Sequence, residues 1–233
     1  MMTDSELDYD SYLAPSPLPP IDAEQRAAAK QQPGTQFKYY DPGMHPQGLK
    51  AGSSVQGWRY VDADGNFTGQ DVPNPEYSPH PDTLGFMPMS AFEMTLWRTA
   101  NGYHRVLTLV SGLFAVELIA KGSARGDNEL HLEPGEDGVL TLDVYSTKDK
   151  LPQDWPHWVP IAGEDLVLVL GRGADLMIQF NRGAESALRV PARLLGKAYD
   201  NGSRDGKRDR LADLPLPAEP TTMGTAQGIG AQR

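Results

Sequence analysis

The chain has 233 residues, a formal net charge of −10 and no cysteine. The acidity argues against nucleic acid and anionic membrane surfaces as partners, because phosphate recognition needs clustered Lys and Arg. The missing thiol excludes disulfides, thiolate metal sites and a Cys nucleophile.

Residues 1–50 read as a disordered arm. Asp4, Glu6, Asp8 and Asp10 make its start acidic, and Pro15-Ser16-Pro17-Leu18-Pro19-Pro20 cannot enter a helix or a sheet interior. Ile21 to Gln32 holds helix formers but one sizeable apolar side chain, so a helix there needs an outside surface. The start has no apolar stretch of signal-peptide type, and no run of about 18 apolar residues follows, so a cytoplasmic protein without membrane insertion is expected.

Residues 51–88 read as a hairpin and a Pro-rich leader. Trp58, Tyr60 and Phe67 supply aromatic strand positions, and Asp64-Gly65 is a favoured turn pair. The acidic run from Asp62 departs from a calcium loop, because Phe67 and Pro73 stand where a Gly and a bidentate Glu are needed. Pro73, Pro75, Pro79, Pro81 and Pro88 then mark an extended connector.

The compact part is predicted over residues 89–199, with a Gly-, Asp-, Arg- and Pro-rich disordered tail over 200–233. Ser90 is an N-cap with Glu93 as its capping-box partner. Phe92, Leu96, Ala100, Tyr103, Leu107 and Val110 line one helical face, broken in two by Asn101-Gly102. Strands are expected at Leu113–Ala120, Glu129–Glu133, 139–146, Val159–Ala162, 175–180 and Leu188–Val190. Thr147 is a possible cap for a short helix. Residues 165–170 fit a buried strand by periodicity and a helix by length and flanking Gly163 and Gly171. Pro191 at N1 opens a helix over 191–198. The fold class is α/β in the α+β arrangement: one domain with a mixed sheet of four or five strands, helices packed against it, and no internal repeat.

The stretch Ser90 to Ala198 resembles the SseB N-terminal domain family. The likeness rests on an ordered set: Val144-Tyr145-Ser146-Thr147-Lys148-Asp149, Trp155-Pro156, Gly163-Glu164-Asp165-Leu166, Asn181-Arg182-Gly183 and Leu188-Arg189-Val190-Pro191-Ala192. Arg182 replaces the proline of the family's Asn-Pro-Gly. Upstream, Gly57-Trp58-Arg59-Tyr60-Val61-Asp62 and the Val72 to Pro81 segment resemble the leader of actinobacterial type VII secretion system-associated proteins. The SseB likeness reinforces the helical reading of 165–170, and the leader likeness implies association with a secretion apparatus, so a non-enzymatic accessory protein is expected.

The chemistry-bearing residues weigh the same way. His45, His80, His104, His131 and His157 show no metal-ligand spacing. No G-x-S-x-G is present, and Gly171-Arg172-Gly173-Ala174 lacks the phosphate-loop Lys. No catalytic residue, metal ligand or cofactor is therefore expected. Tyr77, Tyr145, Trp155, His157 and Trp158 are the candidate partner-binding residues, because Trp and Tyr dominate protein hot spots. The partner expected is a protein, and the resemblance implies a type VII secretion component. An immunity-type protein that neutralises a toxin and an unrecognised hydrolase are the alternatives.

Overall fold

The computed structural model describes residues 12–43, 54–125, 129–173 and 175–204. The acidic start at Asp4 to Asp10 and most of the expected tail lie outside the described residues. Their framework is α+β, built on two sheets.

The larger sheet has six strands: β4 (Glu117–Lys121), β5 (Leu132–Pro134), β6 (Leu140–Tyr145), β7 (Trp158–Ala162), β8 (Met177–Phe180) and β9 (Leu188–Pro191). Its order is β7-β4-β6-β8-β9, and β5 pairs with the first half of β6. Only β6 and β8 run parallel, with Leu142 opposite Ile178 and Val144 opposite Phe180. A parallel pair needs a long crossover. Here it passes through a 3-10 turn (Lys148–Lys150), β7, α5 (Gly163–Asp165), a π-helical stretch (Leu166–Leu170) and α6 (Gly171–Gly173). Residues 165–170 are thus helical, which resolves the ambiguity of their apolar run.

Alternation gives this sheet two unlike faces. Leu118, Ala120, Leu142, Val144, Ile178, Phe180 and Val190 join one aliphatic core with α3 (Ala91–Ala100), α4 (Val106–Leu113), the π-helical stretch and α7 (Ala192–Arg204). The π-helical end and α7 meet backbone to backbone: a Cβ on Gly171 would fall 2.8 Å from the amide nitrogen of Gly196. Ser90 caps α3 as predicted, its Oγ accepting from the Glu93 amide. The helix ends at Asn101, and Gly102 takes a positive φ of 77°.

Several expectations need correction. The larger sheet has six strands where four or five were expected, because β5 adds to the first half of β6. Pro191 ends β9, so the last helix opens at Ala192. Leu113 closes α4 instead of opening a strand, because its buried side chain completes the helical face, and β4 begins at Glu117. Helix α7 runs past 198 to Arg204, into the expected tail. Most of residues 12–43 belong to the folded part. They contain α1 (Ala23–Gln31) and β1 (Gln36–Tyr40), and β1 joins β2 (Val55–Val61) and β3 (Phe67–Pro73) in an antiparallel sheet. The outside surface that α1 needed is the β2–β3 turn. Ala29 is fully buried, and Lys30 Nζ donates to Asp64 O (3.1 Å) and Asn66 Oδ1 (2.7 Å).

The Pro-rich connector, which includes the short helix α2 (Pro81–Leu84), fastens the small sheet to α3. Tyr77 packs with Leu84, Met94, Trp97 and Tyr103 in a second apolar cluster. Asn74 Nδ2 donates to Val55 O (2.7 Å), and Arg98 Nε donates to Tyr77 O (2.8 Å). Asp41 accepts from Tyr77 Oη (2.9 Å), the His80 amide (2.6 Å), the Gly43 amide (2.8 Å) and Thr83 Oγ1 (2.5 Å). Burial works to raise the Asp41 pKa, but these donors together hold it below the usual value.

Candidate interaction surface

The face of the six-stranded sheet turned away from the helices is polar and aromatic. The strand pairing sets out its rows. Lys121 sits opposite Trp158, and Ile119 lies between Pro160 and Tyr145. Asp143, Gln179 and Arg189 form one row; Glu133, Thr141, Met177 and Pro191 form the next.

Three carboxylates along this face are paired with cations. Arg182 donates from Nε to Asp143 Oδ1 (2.9 Å). Asp143 itself is buried in mid-sheet, whereas the Arg182 side chain is about half exposed. Arg189 grips Asp137 with two bonds of 2.8 and 2.9 Å and reaches Thr141 Oγ1 at 3.3 Å. The Arg189 bonds hold the Asp137 carboxyl down to about 2. Lys121 Nζ donates to Glu133 Oε1 (2.7 Å), and His131 Nε2 lies 3.2 Å from the same oxygen. The Lys121 bond is the largest cause of the lowered Glu133 pKa.

The aromatic end lies at Trp155 and Trp158. Trp155 Nε1 donates to Gly122 O (2.9 Å), so the indole is fixed to the end of β4. Lys121 Nζ stands 3.9 Å from the Trp155 ring centroid, and the His131 ring packs 4.5 Å away. His157 lies against the same glycine: a Cβ on Gly122 would meet His157 Cδ2 at 2.6 Å. Trp158 meets Tyr145 edge-on, with centroids 5.3 Å apart. All three residues are partly exposed.

The five sequence candidates therefore separate. Trp155, His157 and Trp158 stand together at one sheet edge. Tyr145 is beside them but 1% exposed, and burial first, then Asp143, pushes its phenol up to about 12. It supports Trp158 and is not itself available to be gripped. Tyr77 is 0% exposed and lies in the second apolar cluster, where it joins the connector to α3. The reading of Tyr77 and Tyr145 as contact residues is corrected on that ground. Sequence reasoning missed Lys121, Glu133, Asp143 and Arg189. The period-two alternation Thr141, Asp143, Tyr145 was the available signal, because it puts polar groups on one face of a strand whose other face is aliphatic.

A second polar cluster joins α3 to the ends of the parallel strands. Glu93 is fully buried; its Oε1 accepts from Ser146 Oγ (2.7 Å) and lies 3.3 Å from Lys150 Nζ, and its Oε2 accepts from the Met89 amide (2.6 Å). The capping-box partner has been drawn inward. Asn181, at a φ of 44°, accepts from the Ser146 amide (2.9 Å) and donates to Ser186 Oγ (3.0 Å). Each polar group there is engaged in joining elements. Among the described residues no group of three His, Asp or Glu side chains is placed to hold a metal ion, and no helix is long and apolar enough to cross a membrane.

No protein-family model, curated protein or solved structure matches the chain.

Proposed function

We propose that this chain is a non-enzymatic binding protein accessory to type VII secretion, gripped by a protein partner at the Trp155–His157–Trp158 edge. The observation that supports the reading is the state of that edge. Two partly exposed indoles and an imidazole stand beside a face on which Glu133, Asp143 and Asp137 are already paired with cations. A partner covering it gains aromatic area and strips few lone ions of water. The link to secretion rests on the likeness of residues 57–62 and 72–81 to the leader of type VII-associated proteins.

Affinity capture with the tagged full chain, from cells running a type VII system, tests both parts. The intact chain is expected to recover a secretion component, and the Trp155→Ala/Trp158→Ala double variant to lose at least tenfold of it while remaining folded. Recovery of none by the intact chain ends the secretion reading. Recovery unaffected by the double variant moves the interface elsewhere.

The net charge of −10 supports a second reading, an immunity-type protein that binds and neutralises a basic toxin. Protection of cells from a toxin encoded beside the gene would favour it.

A further inference from the structure

The inner face of the three-stranded sheet already holds a peptide. Pro17, Leu18 and Pro19 cross it, with the Leu18 side chain buried. Its Cδ2 lies 3.0 Å from where a Cβ on Gly57 would stand, so the bare glycine makes the slot. Arg59 Nη1 donates to Pro19 O (2.6 Å), and Nη2 donates to Leu18 O (3.4 Å). The guanidinium is fixed from behind by Asp71, whose Oδ2 accepts from Nη2 at 2.8 Å, and lies 4.8 Å from the Tyr39 ring centroid. The groove thus offers an apolar slot, an immobilised two-pronged donor and an aromatic wall. A Pro-x-Pro peptide suits it: proline has no N–H to leave unpaired, and its fixed φ lowers the entropy lost on docking.

The tripeptide in the groove occurs once more, at Pro215-Leu216-Pro217, too short to register as a repeat. The geometry points to the groove as a Pro-Leu-Pro-recognition site whose resident, residues 17–19, exchanges with residues 215–217 of the same chain. Exchange would free more than the tripeptide. Tyr12 forms a β-bridge with Arg105, and Pro15 O lies against Gly102, so residues 12–20 tie the small sheet to the α3–α4 turn. Displacing 17–19 loosens that tie.

The absence of cysteine allows a clean test. A nitroxide is attached at Ala218→Cys in the full chain, and amide signals of Gly57, Arg59 and Val72 are followed. Adding Leu18→Ser is expected to increase their broadening at least twofold, independently of dilution, and further adding Leu216→Ser to abolish the increase. No increase, or an increase that survives Leu216→Ser, overturns the proposal; broadening lost on dilution places the segment on a second copy and overturns the intramolecular assignment. Should Leu18→Ser unfold the small sheet, a peptide spanning 214–220 is titrated into the wild-type chain. It is expected to shift the Arg59 Nε–H signal, and the Leu216→Ser version is not. No shift at millimolar peptide also overturns the proposal.

Discussion

The two sheets are stabilised by different means. The six-stranded sheet lies on an aliphatic layer supplied by α3, α4, α7 and the π-helical stretch. The three-stranded sheet rests on α1, the Pro17–Pro19 strap and the connector, and its fixing points are polar: Arg59 with Asp71, Asp41 with its donors, Asn74 with Val55. Aliphatic burial is non-directional and forgiving of shape. A buried ion pair or carboxylate holds only in one geometry, and breaking it leaves a desolvated charge. The small sheet is therefore positioned more narrowly than it is stabilised.

The sharpest test of that contrast is in the large core. Leu142→Ala removes a fully buried side chain from the middle of β6 and should cost about 2–5 kcal/mol, seen as a lower denaturation midpoint for the whole six-stranded unit. Arg59→Ala should cost about 3 kcal/mol, because Tyr39 Oη, Leu18 O, Pro19 O and Asp71 lose their shared donor. Hydrogen exchange is expected to quicken in β1–β3 and α1 while β6 and β8 stay protected. Equal quickening in both sheets would erase the distinction.

The junction should respond to acid. His104 is buried, its Nε2 lies 2.9 Å from Pro75 O, and its Nδ1 has no partner. Nε2 therefore carries the proton in the neutral ring, and a second proton on Nδ1 would have no acceptor. Burial first, then Arg98, lowers its pKa to about 4 from an ordinary 6.5. Glu76 faces Arg98 from the connector. Because the folded pKa is depressed, the unfolded chain takes up the proton first as pH falls. Stability present above pH 6.5 is lost between about 6.5 and 4, by up to about 3 kcal/mol. A His104→Gln variant, which keeps a donor for Pro75 O, should flatten that part of the stability–pH curve.

The smallest effect belongs to the open face. Arg189→Ala should leave the melting curve nearly unmoved, since its partner Asp137 is exposed. It should raise the Asp137 pKa from about 2 towards the ordinary carboxylate value, readable by NMR titration.

How far the sequence discloses these regions follows from the same contrast. The Ser90 cap, the α3–α4 face, the Asp64-Gly65 turn and the strands around 140–145 and 177–180 declare themselves through periodicity and turn chemistry. Residues 12–43 do not. Their order depends on Arg59 and the β2–β3 turn, which lie far off in sequence, and a polar residue in a strand gives no sign of being buried. At the proposed interaction edge, aromatic content marked Trp155, His157 and Trp158. It could not separate them from Tyr145, whose burial is set by its neighbour across the sheet.

The tie between Tyr12 and Arg105 also bears on biosynthesis. Residues 12–15 leave the ribosome long before the α3–α4 turn that receives them. At roughly 5–20 residues per second, the ninety or so residues between them take on the order of 5–20 seconds to appear. Residues 12–15 thus wait exposed until that turn emerges, and a segment made before its receiving site is among the last to find its seat.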